Sequence, residues 1–96
     1  MTNDQEYFFY IIQTNDQKLY AGTSNDYLKR FETHKAKKGA RFTQAASRHP
    51  LTLIFAQSFE SKSEALKFEI KFKKLNREQK LNYINQSENL VATPIF

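Results

Sequence analysis

The strongest constraint on the fold is a short segment near the amino terminus in which almost every residue is apolar. Residues 7 to 13, YFFYIIQ, carry apolar side chains on both alternating faces of an extended chain. A strand with one solvated face would alternate apolar and polar residues instead. The segment therefore predicts the central strand of a sheet that is covered on both faces.

Two more strands are predicted on either side of a helical region. Turn residues at 14 to 17 (TNDQ) separate the first strand from KLYAGT at 18 to 23, which gives a hairpin, and LTLIFAQS at 51 to 58 forms a third strand. If the hairpin loop is odd in length and centred on Asn15, Tyr10 lies directly opposite Tyr20. The sequence does not decide this register.

Three helices are predicted, over residues 26 to 37, 61 to 75 and 77 to 86. The first begins after three candidate capping residues, and the other two begin at pairs with the spacing of a capping box, Ser61 with Glu64 and Asn76 with Gln79. The intervening residues 35 to 50 form a basic loop with one helical turn around 42 to 46. Residues 86 to 96 are a tail with an apolar end.

One carboxylate lies within the apolar arc of the second helix. At about 100° per residue, this arc contains Ala65, Leu66, Phe68, Ile70, Phe72 and Leu75. Glu69 falls inside it, and a buried carboxylate is unfavourable unless it is paired or binds a cation. Three interpretations stay open: a salt bridge to a neighbour such as Lys73, a helix turned so that Glu69 lies at the rim of the core, and a ligand for a divalent metal ion.

Length and charge limit the class of protein. Ninety-six residues predict one domain, residues 1 to 96, with its core at about 7 to 85, and the absence of cysteine excludes disulfides, thiol nucleophiles and cysteine-based zinc sites. No segment has the composition of a signal peptide or a membrane span, so a cytoplasmic protein is expected. The net charge of +5 favours nucleic acid or another polyanion as the partner.

Four polar-tipped side chains fall on the hairpin and the first helix. Arg30 and His34 are four residues apart, so they share one helical face, and next to the hairpin they can form a phosphate clamp. Tyr10 and Tyr20 would be ordinary strand aromatics if each stood alone. In combination, the four residues indicate a candidate active site.

The order of short motifs along residues 7 to 85 resembles the GIY-YIG nuclease superfamily, in particular its small stand-alone bacterial members. The matching segments are Phe8-Phe9-Tyr10, Tyr20-Ala21-Gly22, Asn25-Asp26, the Arg30 to His34 helix, Lys38-Gly39-Ala40, Phe42-Thr43, Ser63-Glu64-Ala65 with Glu69, and Lys73-Lys74-Leu75. Phe8 stands in place of a glycine of the first motif and Ala21 in place of an isoleucine of the second. The asparagine that many larger relatives have late in the domain is not assigned to either Asn76 or Asn82.

The resemblance implies an α/β (α+β) fold with a three-stranded antiparallel sheet flanked by helices, and metal-dependent cleavage of DNA. The implied catalytic residues are Tyr10 and Tyr20 around the water and the scissile phosphate, Arg30 as phosphate stabiliser, and His34 as a supporting donor or proton acceptor. Glu69 would be the ligand of one divalent cation, Mg²⁺ or Mn²⁺. Tyr10 is favoured as the base, although a tyrosine needs help in that role at neutral pH.

The remaining expectations concern DNA binding. The candidate contacts with the DNA backbone are Lys37, Lys38, Arg41 and Lys73. No separate recognition domain fits in the chain, so the DNA, including structured or damaged forms, is recognised by shape and backbone or through a partner protein. The alternatives are a non-catalytic nucleic-acid-binding module of the same fold and a basic adaptor that binds another protein.

Overall fold

Residues 6–86 of the chain are described by the computed structural model. They form three strands, four α-helices and a 3₁₀ turn. In chain order these are β1 (Tyr7–Gln13), β2 (Leu19–Ser24), α1 (Tyr27–Lys35), α2 (Arg41–Gln44), the 3₁₀ turn (Ala46–Arg48), β3 (Thr52–Phe59), α3 (Lys62–Lys73) and α4 (Arg77–Asn85). Residues 87–96 of the predicted tail lie outside the described residues.

The three strands form one antiparallel sheet in the order β2, β1, β3. β1 is central, and its residues from Phe9 to Gln13 are all buried. The predicted sheet and the central position of its most apolar strand are therefore confirmed. β2 is an edge strand, which lets side chains from both layers meet beside it.

The register of the hairpin differs from the one considered in the sequence. Tyr10 pairs with Gly22, and Tyr20 pairs with Ile12, so direct opposition of the two tyrosines is wrong. They still lie on the same sheet face, as diagonal neighbours, because cross-strand partners point to the same side.

The turn itself explains this register. The Lys18 backbone N–H donates to Thr14 Oγ1 at 2.8 Å, and the Thr14 N–H donates to the Lys18 carbonyl at 2.9 Å. These bonds hold Lys18 in a five-residue loop instead of the strand. Gln17 takes a positive φ of 65° within the same loop. The loop is thus centred one residue later than expected, at Asp16.

The two faces of the sheet are covered by different helices. On one face, α3 and α4 enclose an aromatic-rich core, whose buried members are Phe9, Ile11, Ala21, Ile54, Phe55, Phe72 and Ile84. On the other face, Tyr27 and Phe31 of α1 pack against Tyr10, Ile12 and Leu51. The alternation of β1 thus separates a purely structural face, with Phe9 and Ile11, from the face that carries Tyr10.

The apolar arc of α3 is narrower than the sequence suggested. Ala65 and Phe72 are buried, whereas Leu66 is 37% exposed and Ile70 is 57% exposed. The helix packs against the sheet through positions spaced three and four residues apart. The rest of the predicted arc, with Leu66 and Ile70, is left facing solvent. Leu28 on α1 is likewise 59% exposed.

Helix ends follow the predicted capping residues. Asp26 caps α1 by accepting from the Lys29 N–H at 3.0 Å, and Asn76 with Gln79 forms the full capping box of α4. Ser61 caps α3 by accepting from the Glu64 N–H. No helix among residues 6–86 is both long and apolar enough to cross a membrane.

Candidate active site

The first element of the site is the contact between Tyr10 and Gly22 across the hairpin. Tyr10 is 1% exposed, and its ring lies over the α-carbon of Gly22. A side chain at residue 22 would place its Cβ 2.6 Å from the Tyr10 hydroxyl oxygen. Gly22 therefore makes room for the phenol and lets its hydroxyl reach past the edge strand.

The second element is His34, which α1 brings against the Tyr10 hydroxyl. The Tyr10 oxygen lies 3.1 Å from His34 Nε2, and His34 Nδ1 lies 2.7 Å from Thr43 Oγ1. His34 is fully buried. Both ring nitrogens thus have partners, as a buried imidazole requires. Tyr10 and His34, 24 residues apart in the chain, form a hydrogen-bonded pair inside the protein.

Both glycines of the chain support this pair. The sequence contains two glycines in all, and neither has a positive φ. Gly22 lies against the Tyr10 hydroxyl, and a Cβ on Gly39 would collide with His34 Nδ1. Within residues 6–86, the backbone positions that do have a positive φ are occupied by Gln17 and Lys37. Glycine is used here for close approach to two functional rings and not for turn formation.

Gly22→Ala should therefore disturb the site more than its size suggests. We expect a loss of about 1 to 3 kcal/mol in the free energy of unfolding, because the new methyl group overpacks a buried position. Urea unfolding of the single variants and of the double variant with Tyr10→Phe measures the coupling. Removing the hydroxyl should recover part of the loss; equal losses in both backgrounds would show that the Tyr10 hydroxyl is not what the methyl group meets.

Burial and charge shift the pKa of both members of the pair. Desolvation and the neighbouring Tyr20 raise the pKa of Tyr10 to about 12, while the Arg30 guanidinium opposes this rise through a hydrogen bond and its charge. Glu69 adds a smaller upward effect. Burial and the Arg30 charge lower the pKa of His34 to about 4. At neutral pH the pair is an uncharged phenol beside an uncharged imidazole.

The lowered pKa of His34 predicts how stability depends on pH. An unfolded histidine takes up a proton near pH 6.5, whereas folded His34 does so near pH 4, so the unfolded state binds more protons between these values. The His34 contribution to the free energy of unfolding should have its full value above pH 6.5. As the pH falls from 6.5 toward 4, the free energy of unfolding should decrease by up to about 1.4 kcal/mol per pH unit. Urea unfolding from pH 4 to 7.5 measures it.

The other histidine of the chain provides the control. His49→Gln should keep this pH dependence and His34→Gln should reduce it. The NMR titration of the His34 Cε1 proton gives a direct readout, with a midpoint near pH 4. A midpoint near 6.5 would contradict the buried, uncharged imidazole.

Arg30 and Tyr20 form the more open side of the site, since both are only partly buried. The Tyr20 ring packs against His34 with 5.2 Å between ring centroids and stacks on Phe42 at 5.9 Å. The Arg48 guanidinium also lies over the Phe42 ring, 3.9 Å from its centroid. Beside this stack lies a cleft of about 310 Å³, lined by Leu19, Tyr20, Ala21, Phe42, Phe72, Lys73 and Lys80. The site therefore combines a buried Tyr10–His34 pair with a partly exposed side that is formed by aromatic and cationic residues.

Glu69 lies on α3, in the helical layer on the other side of the sheet from α1. Its side chain is 16% exposed and forms an ion pair with Lys73, with 2.8 Å between Oε2 and Nζ. This is the salt bridge considered in the sequence, and it is present. The same carboxylate raises the pKa of Tyr10, so its charge acts on the phenol. A pair with a half-exposed lysine does not occupy all four lone-pair positions of the carboxylate.

The remaining predicted residues lie around this centre. Lys37, Lys38 and Arg41 are exposed on the segment between α1 and α2, and Lys73 lines the cleft. The backbone of this segment is fixed by the Lys38 N–H, which donates to the Thr33 carbonyl at 3.1 Å. The exposed side chains of Lys37, Lys38 and Arg41 can therefore contact a ligand that approaches the protein from the side covered by α1.

A profile of the GIY-YIG catalytic domain matches residues 6–82. The chain belongs to the GIY-YIG family. Among the curated GIY-YIG relatives, a UPF0213 protein of Bacillus velezensis is 48% identical over 83% of this chain and 79% of its own length. The UPF0213 protein YazA of Bacillus subtilis is 46% identical over 86% and 82% of the two chains.

A solved structure supports the GIY-YIG fold. The solution NMR structure of protein EF2693 from E. faecalis is 36% identical, covers 88% of both chains and has a TM-score of 0.60. The predicted family and fold are thus confirmed. The two motif departures of this GIY-YIG chain are structural, since Phe8 packs on Tyr27 of α1 and Ala21 lies in the core.

Three residues of the GIY-YIG site had no role in the sequence analysis, namely Gly22, Gly39 and Thr43. All three lay in the motifs that carried the resemblance, but a tripeptide does not show what its members contact. The rarity of glycine was the available signal, because a chain with two glycines and several turns is using them for something else. Of the two unassigned asparagines, Asn76 accepts from the Gln79 N–H as a cap, and Asn82 is exposed.

Proposed function

We propose that the chain is an endonuclease that hydrolyses DNA phosphodiester bonds with one divalent cation. The observation that carries the proposal is the buried hydrogen bond between Tyr10 and His34 beside the Arg30 guanidinium. A core built for stability alone gains little from a phenol and an imidazole that are both buried, because each polar group must be desolvated. Family membership supports phosphodiester chemistry at this place.

Arg30 and Tyr20 are proposed to meet the scissile phosphate. Both side chains are partly exposed, and Tyr20 lines the same cleft as Lys73. The planar guanidinium fork can bind two phosphate oxygens and stabilise the charge that grows on them in the transition state. The substrate would therefore approach from the cleft, with the Tyr10–His34 pair behind the phosphate.

The pair would provide a path for the proton of the attacking water. With a pKa of about 12, Tyr10 needs a neighbouring base in order to take a proton near neutral pH. A neutral phenol can instead accept a proton from water while it passes its own proton to His34 Nε2, 3.1 Å away. The bond from the water oxygen to phosphorus would form as the water loses its proton, and the bond from phosphorus to the leaving sugar oxygen would break. His34 would then hold the proton, which can pass to the leaving oxygen or to solvent.

Substrate binding would improve His34 as the acceptor. The charge of Arg30 is one of the two causes that hold its pKa near 4. A phosphodiester that pairs with Arg30 brings a negative charge to the same place and offsets that contribution. The pKa of His34 then rises toward the range in which a general base works best. The same contact thus holds the phosphate and prepares the base.

The residues present fit one hard cation bound through a single carboxylate. Residues 6–86 contain no cluster of three or more His, Asp or Glu side chains that could hold a metal ion. Mg²⁺ is often bound by one carboxylate together with water and substrate phosphate, and Glu69, next to the site, can supply that carboxylate. The cation, Mg²⁺ or Mn²⁺, would supply positive charge to the phosphate and the leaving oxygen.

The exposed cations Lys37, Lys38, Arg41 and Lys73 are proposed to contact the DNA backbone. Such contacts position a nucleic acid but carry no sequence information. We therefore propose recognition by shape, as in structured or damaged DNA, or through a partner protein.

The binding half of this proposal predicts a strong dependence on salt. Fluorescence anisotropy of a labelled oligonucleotide, in EDTA to prevent cleavage, should show log Kd rising linearly with log salt concentration. The slope should decrease by about 1 for each lysine or arginine that is removed from the contact surface. Glu60→Gln, on an exposed turn, serves as a control that should leave the slope unchanged. Affinity indifferent to salt would exclude a nucleic-acid backbone as the ligand.

A further inference from the structure

Thr43 holds the far side of the His34 ring. It lies in α2, is fully buried, and places Oγ1 2.7 Å from His34 Nδ1 and 2.9 Å from the Ala40 carbonyl oxygen. Two more contacts fix its backbone. The Thr43 N–H donates to the Ala40 carbonyl at 3.0 Å, and its own carbonyl lies 2.7 Å from His49 Nε2.

These contacts favour one position for the imidazole proton. A hydroxyl has one proton, and the Ala40 carbonyl can only accept, so the Thr43 hydroxyl is the donor in the 2.9 Å bond to Ala40. With its proton in that bond, Oγ1 offers lone pairs to His34, and an N–H at Nδ1 completes the contact at 2.7 Å. A neutral imidazole has one N–H, so Nε2 is left as an acceptor for the Tyr10 hydroxyl.

We propose that Thr43 is a positioning residue that fixes the tautomer of His34 and thereby the direction of proton transfer. In this arrangement the Tyr10 hydroxyl donates to His34 Nε2, His34 Nδ1 donates to Thr43 Oγ1, and the Thr43 hydroxyl donates to the Ala40 carbonyl. This inference rests on the proposed function, because the direction matters only if Tyr10 must release a proton toward His34. In the opposite tautomer, Nε2 would donate to Tyr10, and the phenol could not pass a proton inward.

Closing the turn between Ala40 and Thr43 does not by itself explain why residue 43 has a hydroxyl group. The backbone N–H of Thr43 already closes the turn to Ala40, so the hydroxyl bond to the same carbonyl adds little to its geometry. A valine has the same shape and would avoid burying a polar group, which favours valine wherever packing alone decides. Gly39 packs closely against the same ring near Nδ1, which leaves the ring little room on that side.

The test compares wild type, Thr43→Ser and Thr43→Val. Two-bond ¹H–¹⁵N spectra of the His34 imidazole distinguish a protonated Nδ1 from a protonated Nε2, and this readout does not depend on activity. We expect a protonated Nδ1 in the wild type and in the serine variant, which keeps the hydroxyl. In the valine variant the proton should move to Nε2, because Nδ1 has lost its acceptor.

Single-turnover cleavage is measured on the same three proteins. The serine variant should stay within a few fold of wild type, whereas the valine variant should lose on the order of 10²-fold in rate with its DNA affinity unchanged, as expected for a wrong tautomer.

The two proposals fail in different ways. A wild-type His34 protonated on Nε2 would overturn the role of Thr43 whatever the activity, and this measurement needs no variant to fold. A valine variant that cuts DNA at the wild-type rate would overturn it as well. By contrast, wild-type protein that has the Nδ1 tautomer but cuts no DNA would contradict the proposed function and leave the tautomer assignment supported.

Discussion

Arg30→Ala is expected to lower the single-turnover rate of DNA cleavage by about 10²-fold or more while DNA affinity changes much less. The reason is the charge of the guanidinium, which lowers the pKa of Tyr10 and therefore acts on its hydroxyl. Under the proposed function, this charge would stabilise the negative charge that develops on the phosphate in the transition state. Arg30→Lys keeps the positive charge but lacks the planar guanidinium, so its cleavage rate should lie between those of wild type and Arg30→Ala.

A matched control separates this effect from loss of surface charge. Arg41 is exposed and lies on the segment after α1, so Arg41→Ala should weaken binding and reduce its salt dependence while the rate at saturating protein is kept. Arg30→Ala should also raise the pKa of His34, because the Arg30 charge is one cause of its low value. Wild-type cleavage by Arg30→Ala, with an unchanged His34 titration, would make Arg30 an ordinary surface cation.

Glu69→Gln is expected to abolish metal-dependent cleavage while thermal stability without metal stays level. The ion pair with Lys73 joins residues four apart on a helix, and the lysine side chain is 54% exposed. Pairs of this kind contribute about 0.3 to 0.5 kcal/mol, and the lysine can return to water when its partner is lost. The carboxylate is therefore already balanced by Lys73, and its removal should neither stabilise nor clearly destabilise the metal-free protein.

Metal binding to the free protein gives a readout that does not depend on activity. A bound ion raises the melting temperature by mass action, so wild type should melt higher as Mg²⁺ is added, and Glu69→Gln should not. Glu64→Gln is the matched control, because Glu64 is exposed on the same helix and should leave the Mg²⁺ effect unchanged. A clearly destabilised Glu69→Gln that still cuts DNA would make the carboxylate purely structural.

The strands and helices were predictable because local patterns determine them. The apolar run of β1 required a central strand, and Asp26, Ser61 and Asn76 supplied caps where helices were expected. The hairpin register was not predictable, because it depends on Thr14 and Lys18 closing a loop one residue later than the turn pattern suggested. Such loops are chosen by specific hydrogen bonds that composition does not reveal.

The candidate site was predictable as a set of residues and not as a mechanism. Four of its members were found because Arg30 and His34 share a helical face and the tyrosines share a sheet face. The proton path was not visible, because the Tyr10 bond to His34 joins two elements and its direction depends on Thr43 from a third. The exposure of Leu66 and Ile70 was missed for a similar reason, since a periodic pattern does not show how much of an apolar arc another layer covers.

The central claim is that the Tyr10 hydroxyl belongs to a site that hydrolyses phosphodiester bonds. The most direct measurement is single-turnover cleavage of labelled DNA by wild type and by Tyr10→Phe, each in Mg²⁺ and in EDTA. The two proteins differ by one buried oxygen and are purified identically, so a contaminating nuclease would act equally in both. We predict cleavage by the wild type in Mg²⁺ alone and a rate lower by about 10²-fold or more in Tyr10→Phe, with unchanged DNA affinity. Equal cleavage by both proteins, or none by the wild type while it binds DNA, would contradict the claim.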